Sequence, residues 1–173
     1  HVQYINGYPD GSVGPERNMT RAEAASIFYR LLDTDKSVQF ESNFSDVDKD
    51  EWYFHEVSAL TYLGIIDGYN DGTFRPDENI TRAEFAKITS MFDELELDAK
   101  SVFKDVSDDS WASKYIASAA EKGWIDGYDD GTFRPDENIT RVQAVTIINR
   151  SLFLQIEHRD IPEDLVPDYT DLD

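Results

Sequence analysis

Three arginines stand where a helix would ordinarily refuse a cation. Each follows a threonine that can open a helix: Arg21 in Thr20-Arg21-Ala22-Glu23, Arg82 in Thr81-Arg82-Ala83-Glu84 and Arg141 in Thr140-Arg141-Val142-Gln143. The threonine hydroxyl can accept a free N–H of the first turn, and a glutamate or glutamine three residues on can reach back to the threonine's own N–H. The arginine then occupies the first helical position, where the helix dipole favours anions. A guanidinium beside the N–H groups of a helix start makes an anion site and binds a carboxylate by two parallel hydrogen bonds. The same placement fits a second chemistry, in which each arginine pairs with a carboxylate of its own chain, such as Glu23, Glu84 or the loop aspartates.

The elements that position these arginines recur. Gly68-Tyr69-Asn70-Asp71-Gly72-Thr73-Phe74-Arg75-Pro76 leads to Thr81, and Gly127-Tyr128-Asp129-Asp130-Gly131-Thr132-Phe133-Arg134-Pro135 leads to Thr140. A looser copy runs from Gly7-Tyr8-Pro9-Asp10-Gly11 to Thr20, and the arginines are spaced by 61 and 59 residues. Three copies at a near-constant period mean a repeat architecture. Asp71-Gly72 and Asp130-Gly131 are turn pairs, and Pro76 and Pro135 stiffen the linker into the helix.

Apolar residues at helical spacing predict a helix over 21–32, marked by Ala24, Ile27, Phe28 and Leu31. A second helix is predicted over about 52–63, with Val57, Leu60 and Leu63 inward and Gly64 closing it. A third follows from 82 with Phe85, Ile88, Phe92 and Leu95 inward. Phe103-Lys104-Asp105-Val106, Trp111, Ile116 and Gly123 repeat Phe44-Ser45-Asp46-Val47, Trp52, Val57 and Gly64, so a fourth helix is predicted there, and Ala144, Ile147 and Ile148 mark a fifth. The organisation is then a back half of a repeat with its connection (1–43), a whole repeat (44–102), a second whole repeat (103–154) and a tail (155–173). In that tail Tyr169-Thr170-Asp171-Leu172 reads like the opening of a further front half, which could complete the first repeat through the chain ends.

Composition narrows the function. The formal net charge of −20 argues against nucleic acid, whose phosphates would repel this surface. The absence of cysteine excludes disulfides, thiolate metal sites and a cysteine nucleophile. No apolar run reaches membrane-spanning length. The chain opens at His1, which points to a processed or trimmed piece, so the lack of a signal peptide says little about export.

The Phe-x-Asp-Val…Trp openings at 44–52 and 103–111, the Gly-Tyr-x-Asp-Gly-Thr-Phe-Arg-Pro loops at 68–76 and 127–135, and Ile80-Thr81-Arg82-Ala83-Glu84 together resemble S-layer homology (SLH) repeats. The resemblance covers nearly all of residues 4–154. It implies a mainly α fold in which three helix–loop–helix repeats form a pseudo-threefold bundle. It implies a monomeric, non-enzymatic module of a bacterial surface protein, extracellular and held to the cell wall or S-layer. The implied partner is secondary cell wall polysaccharide, bound non-covalently in grooves between repeats, often through a pyruvate ketal, with no cofactor, metal, nucleic acid or membrane insertion. Carried over by position, the ligand-binding residues are Arg21, Arg82 and Arg141, with Trp52 and Trp111 as faces for a sugar ring. A tryptophan opening a helix equally fits core packing. The pattern is whole at the second motif; the third carries Val142 and Gln143 in place of alanine and glutamate, and the first loop reads Ser12-Val13-Gly14.

Other constellations are weaker. Asp67, Asp71, Gly72 and Glu78 match positions of a calcium loop, but Tyr69 stands where a carboxylate is needed, and the first copy has Arg17 in place of the last glutamate. His1, His55 and His158 form no catalytic pattern. A rival to the anchor is a structural or self-assembly module, in which the arginines make only internal ion pairs.

Overall fold

The computed structural model describes residues 12–32, 38–93 and 95–156. Five helices follow in order: α1 (Arg21–Leu31), α2 (Phe54–Tyr62), α3 (Arg82–Phe92), α4 (Ser113–Glu121) and α5 (Arg141–Ile156). The fold is mainly α, with three isolated antiparallel bridges and no sheet among the described residues. The first-repeat glycine loop and the Tyr169–Leu172 stretch lie outside the described residues.

The capping boxes form as the threonine–glutamate spacing dictates. The Thr20 and Thr81 hydroxyls accept from the Glu23 and Glu84 amides, and those carboxylates accept from the Thr20 and Thr81 amides. Gln143 serves Thr140 in the same way, its Oε1 accepting from the Thr140 amide at 3.2 Å. Gly64 and Gly123 end α2 and α4 at φ of 71° and 72°, a left-handed backbone that glycine adopts without a Cβ clash. α2 begins two residues later than its apolar pattern suggests, because Glu51–Tyr53 is first used in a turn closed by Phe54 N donating to Glu51 O at 3.1 Å.

The three back halves close on one another through their backbones. Met19 N donates to Ile139 O (3.1 Å), Ile139 N to Ile80 O (3.0 Å) and Ile80 N to Met19 O (2.9 Å). This ring of three bonds sits on three buried apolar side chains and defines the pseudo-threefold axis. Around it the helix starts hand their first amides to the next repeat's proline linker. Arg21 and Ala22 donate to Glu78 O and Pro76 O, Arg82 and Ala83 to Glu137 O and Pro135 O, and Arg141 and Val142 to Arg17 O and Pro15 O. The helix starts are therefore not free anion sites. Each neighbouring linker turns at its proline, closed in the second and third repeats by Glu78 N donating to Arg75 O and Glu137 N to Arg134 O, and presents carbonyls that satisfy the orphan donors.

Asp46 and Asp105 explain the repeated spacing of the front-half opening to the loop. Each carboxylate accepts two successive backbone amides at 2.7 Å, from Phe74 and Arg75 and from Phe133 and Arg134. Arg75 and Arg134 both have φ of 59°, a costly region for a residue with a side chain. The carboxylate clamp offsets that cost, as does each guanidinium lying over the ring of Tyr69 (4.0 Å) or Tyr128 (3.7 Å). Inside the same loops, hydrogen bonds from Thr73 and then Arg75 hold Asp71 at a pKa of about 2, and those from Thr132 and Arg134 do the same for Asp130. A carboxylate depressed on folding contributes stability above its unfolded pKa and loses it as pH falls through the folded one. The melting temperature is therefore expected to drop between about pH 4 and pH 2, and an Asp71→Asn, Asp130→Asn double variant should show a shallower drop across that window.

Candidate functional site

The first arginine reaches across a repeat boundary. Arg21 starts α1, yet its side chain lies against the second repeat's loop: Nε donates to Phe74 O (2.8 Å), Nη2 to Asp67 O (3.0 Å) and Nη1 to Glu84 Oε1 (2.9 Å). Its guanidinium carbon stands 4.6 Å from the Phe74 ring centroid and 4.9 Å from that of Tyr69. Glu84 Oε1 also accepts from the Tyr69 hydroxyl at 3.0 Å while Oε2 caps α3. Beside this network opens a cleft of about 120 Å³, lined by Arg21, Asp67, Tyr69, Glu84, Lys87 and Trp111, among others. Lys87 pairs with Asp67 across it. Trp111 comes from the third repeat's front half and is 57% exposed.

The second arginine repeats the geometry one boundary further on. Arg82 is 6% exposed; its Nε donates to Phe133 O (2.8 Å) and its Nη2 to Asp126 O (3.2 Å). Burial is the largest influence on it and pulls its pKa below the ordinary arginine value, with Tyr128 and Glu137 acting the other way. Gln143 stands where the sister cleft has Glu84, and its Nε2 faces the Tyr128 hydroxyl at 3.5 Å. Among the described residues Arg82 has no ion pair. The cleft here is about 240 Å³, lined among others by Arg82, Asp126, Tyr128, Val142, Gln143 and Arg150. Arg150 pairs with Asp126.

The third arginine follows suit where it is described: Arg141 Nε donates to Val13 O at 3.0 Å, and Nη1 lies 3.8 Å from Glu23 Oε1. The alternative raised by the sequence, pairing with the protein's own carboxylates, thus holds for Arg21 and Arg141, although the partner of Arg21 belongs to the next repeat. Trp52 and Trp111 are both 57% exposed, so neither is a core residue. Trp111 shares a cleft with Arg21; Trp52 lines a shallow hollow with Phe40, Lys49, Phe54 and His55, and none of the three arginines lines it. The calcium-like loops spend their carboxylates internally, Asp67 on Lys87, Asp126 on Arg150 and Asp71 on Thr73 and Arg75.

The cleft walls also bring in Glu84 and Gln143, read from the sequence as capping residues, Tyr69 and Tyr128, read there only as loop residues, and Lys87 and Arg150, which no sequence pattern singled out. The i,i+3 and i,i+4 steps from Glu84 to Lys87 and Ile88 were a usable signal for one shared helix face.

The S-layer homology domain profile matches residues 3–25, 43–86 and 102–145, well over half of the chain. The chain belongs to the S-layer homology family. Among its relatives, cell surface glycoprotein 1 of Acetivibrio thermocellus is 44% identical over 165 residues, covering 88% of this chain and 7% of that protein. The cellulosome-anchoring protein of the same organism is 42% identical over 161 residues, covering 88% of this chain and 36% of that protein. The surface-layer 125 kDa protein of Lysinibacillus sphaericus is 31% identical over 155 residues, covering 86% and 13%. The chain thus spans well under half the length of these relatives. The SLH module is extracellular and cell-wall associated, and it is a non-catalytic surface-anchoring module. Among the described residues, no helix is long and apolar enough to cross a membrane.

Proposed function

We propose that this SLH module anchors its parent protein by binding secondary cell wall polysaccharide in the clefts between repeats, with a pyruvate ketal carboxylate as the charged determinant. The observation that carries the reading is the pairing of an open cleft with a guanidinium fixed in place beside it. Arg82 lines its cleft with Nε and Nη2 already held by the protein's own carbonyls. A donor group held in this way loses little freedom when a carboxylate arrives. Arg21 and Arg82 each line a cleft, Arg141 makes the matching carbonyl contact at Val13, and Trp111 supplies an exposed face on which a sugar ring can stack. Trp52 offers the same exposed face on the other whole repeat. Overall charge of −20 opposes an anionic polymer at long range, and the local cation in a partly desolvated cleft overcomes it at contact.

The test uses isolated Gram-positive wall polysaccharide carrying pyruvate ketals, and the same polymer after mild acid has removed them. Calorimetric titration of the intact chain is expected to show binding that weakens by at least tenfold once the ketals are gone. Trp111→Ala should leave the melting temperature within a few degrees, since its side chain is mostly exposed, and weaken binding by roughly 1–2 kcal/mol. Affinity that ignores both the ketal and Trp111 would favour the self-assembly module instead.

A further inference from the structure

The two described clefts differ in charge, and a single side chain accounts for the difference. The first carries Arg21 and Lys87 against Asp67 and Glu84, a balanced set. The second carries Arg82 and Arg150 against Asp126, one positive charge in excess. The cation that ties down the loop aspartate has moved along the helix, from Lys87 in α3 to Arg150 in α5, without changing the count. What changes it is residue 143, glutamine where the sister cleft has Glu84.

The proton inventory changes with it. In the first cleft Glu84 Oε1 accepts from both Arg21 Nη1 and the Tyr69 hydroxyl, so a carboxylate of the protein already occupies the position an incoming carboxylate would need. In the second cleft the Thr140 amide must find an acceptor, which fixes Gln143 Oε1 at the cap and turns Nε2 toward Tyr128. The Tyr128 hydroxyl there accepts from the amide, which leaves its own proton for a ligand. Arg82 Nη1, Gln143 Nε2 and the Tyr128 hydroxyl are then three donors along one wall with no carboxylate among them.

Resting on the anchoring function proposed above, we infer that Gln143 is the specificity-determining residue of the module: it makes the Arg82 cleft the acid-reading site, which takes the ketal carboxylate, while Glu84 makes the Arg21 cleft self-neutralised, so that it takes sugar against Trp111 without requiring an acid. One module thus reads two chemically different parts of a polymer.

Gln143→Glu and Glu84→Gln test this by exchanging the two walls. Both variants are expected to fold, because each cleft already holds the side chain introduced into the other. The readout is the ratio of affinities for ketal-bearing and ketal-free polysaccharide, which a purely structural role would not move. Gln143→Glu should cut that ratio at least tenfold, and Glu84→Gln should raise it at least threefold by uncovering Arg21. If the parent module discriminates but Gln143→Glu keeps the parent ratio, the assignment of Gln143 is overturned and the anchoring reading stands. If the parent module itself binds both polymers equally, the acid-reading function fails and the assignment falls with it.

Discussion

Gly68→Ala is expected to lower stability by about 4 kcal/mol, a fall of roughly 8–16 °C in melting temperature for a chain of this size. A Cβ built on Gly68 would lie 2.1 Å from Phe44 Cε1 and 2.6 Å from the Thr73 carbonyl oxygen. Phe44 cannot yield cheaply, because its ring packs on Phe74 at 5.6 Å between centroids, and Phe74 is buried beneath Arg21. The Thr73 carbonyl cannot yield either, since it accepts the Tyr69 amide at 2.8 Å and closes the loop. Gly127→Ala should behave alike, with its Cβ 2.4 Å from Phe103 Cε1 and 2.7 Å from Thr132 O. Gly72→Ala is the contrast. Its φ is 82° but nothing lies within 4 Å of its Cβ, so only the backbone penalty of about 1 kcal/mol applies. Chemical unfolding of the three variants checks this; equal losses at Gly68 and Gly72 would show that the Phe44 packing is not what requires the glycine.

That contrast also shows how far the sequence could be read. Asp71-Gly72 announces a turn through dihedral preference alone, which is a local property, and the turn is there. The demand at Gly68 comes from the Thr73 carbonyl within its own loop and from Phe44, more than twenty residues away, and no local pattern carries the second. The helix starts at Thr20, Thr81 and Thr140 were legible for the same local reason, as were the buried faces through Phe85, Ile88, Ile116 and Ile148. The site was legible in its residues but not in its pairings. The Thr81-Arg82 motif is divided between two clefts, because Arg82 reaches the next repeat while Glu84, two residues on, stays on its own helix face beside Arg21. Gln143 follows Arg141 by two residues and yet lines the cleft of Arg82. Only the ring of bonds through Met19, Ile80 and Ile139, which makes the repeats cyclic neighbours, reveals that division.

Because the division gives the arginines unequal partners, stability and binding should rank them in opposite order. Arg21→Ala leaves the Phe74 and Asp67 carbonyls without their donor and strips Glu84 of its cation. Removing one member of a largely buried pair is among the costlier substitutions, and with Glu84 still bonded to Tyr69 and the Thr81 amide the loss should be about 3 kcal/mol. Arg82→Ala orphans two carbonyls, of Phe133 and Asp126, but no carboxylate. Water can reach the enlarged cleft, so this loss should be about 1–2 kcal/mol. In binding the order reverses. Arg82 gives up the unpaired cation of the acid-reading cleft, and affinity for ketal-bearing polysaccharide should fall at least 30-fold, about 2 kcal/mol. Arg21 is already satisfied by Glu84, and its loss should change that affinity by less than about threefold where the variant is folded. Urea unfolding gives the first ranking and titration at a temperature where both variants are folded gives the second. Were Arg21→Ala to be the worse variant by both measures, the arginines would be cleft scaffolding alone, and the charge that meets the polymer would have to be sought in Lys87 or Arg150, which stand further along the same walls.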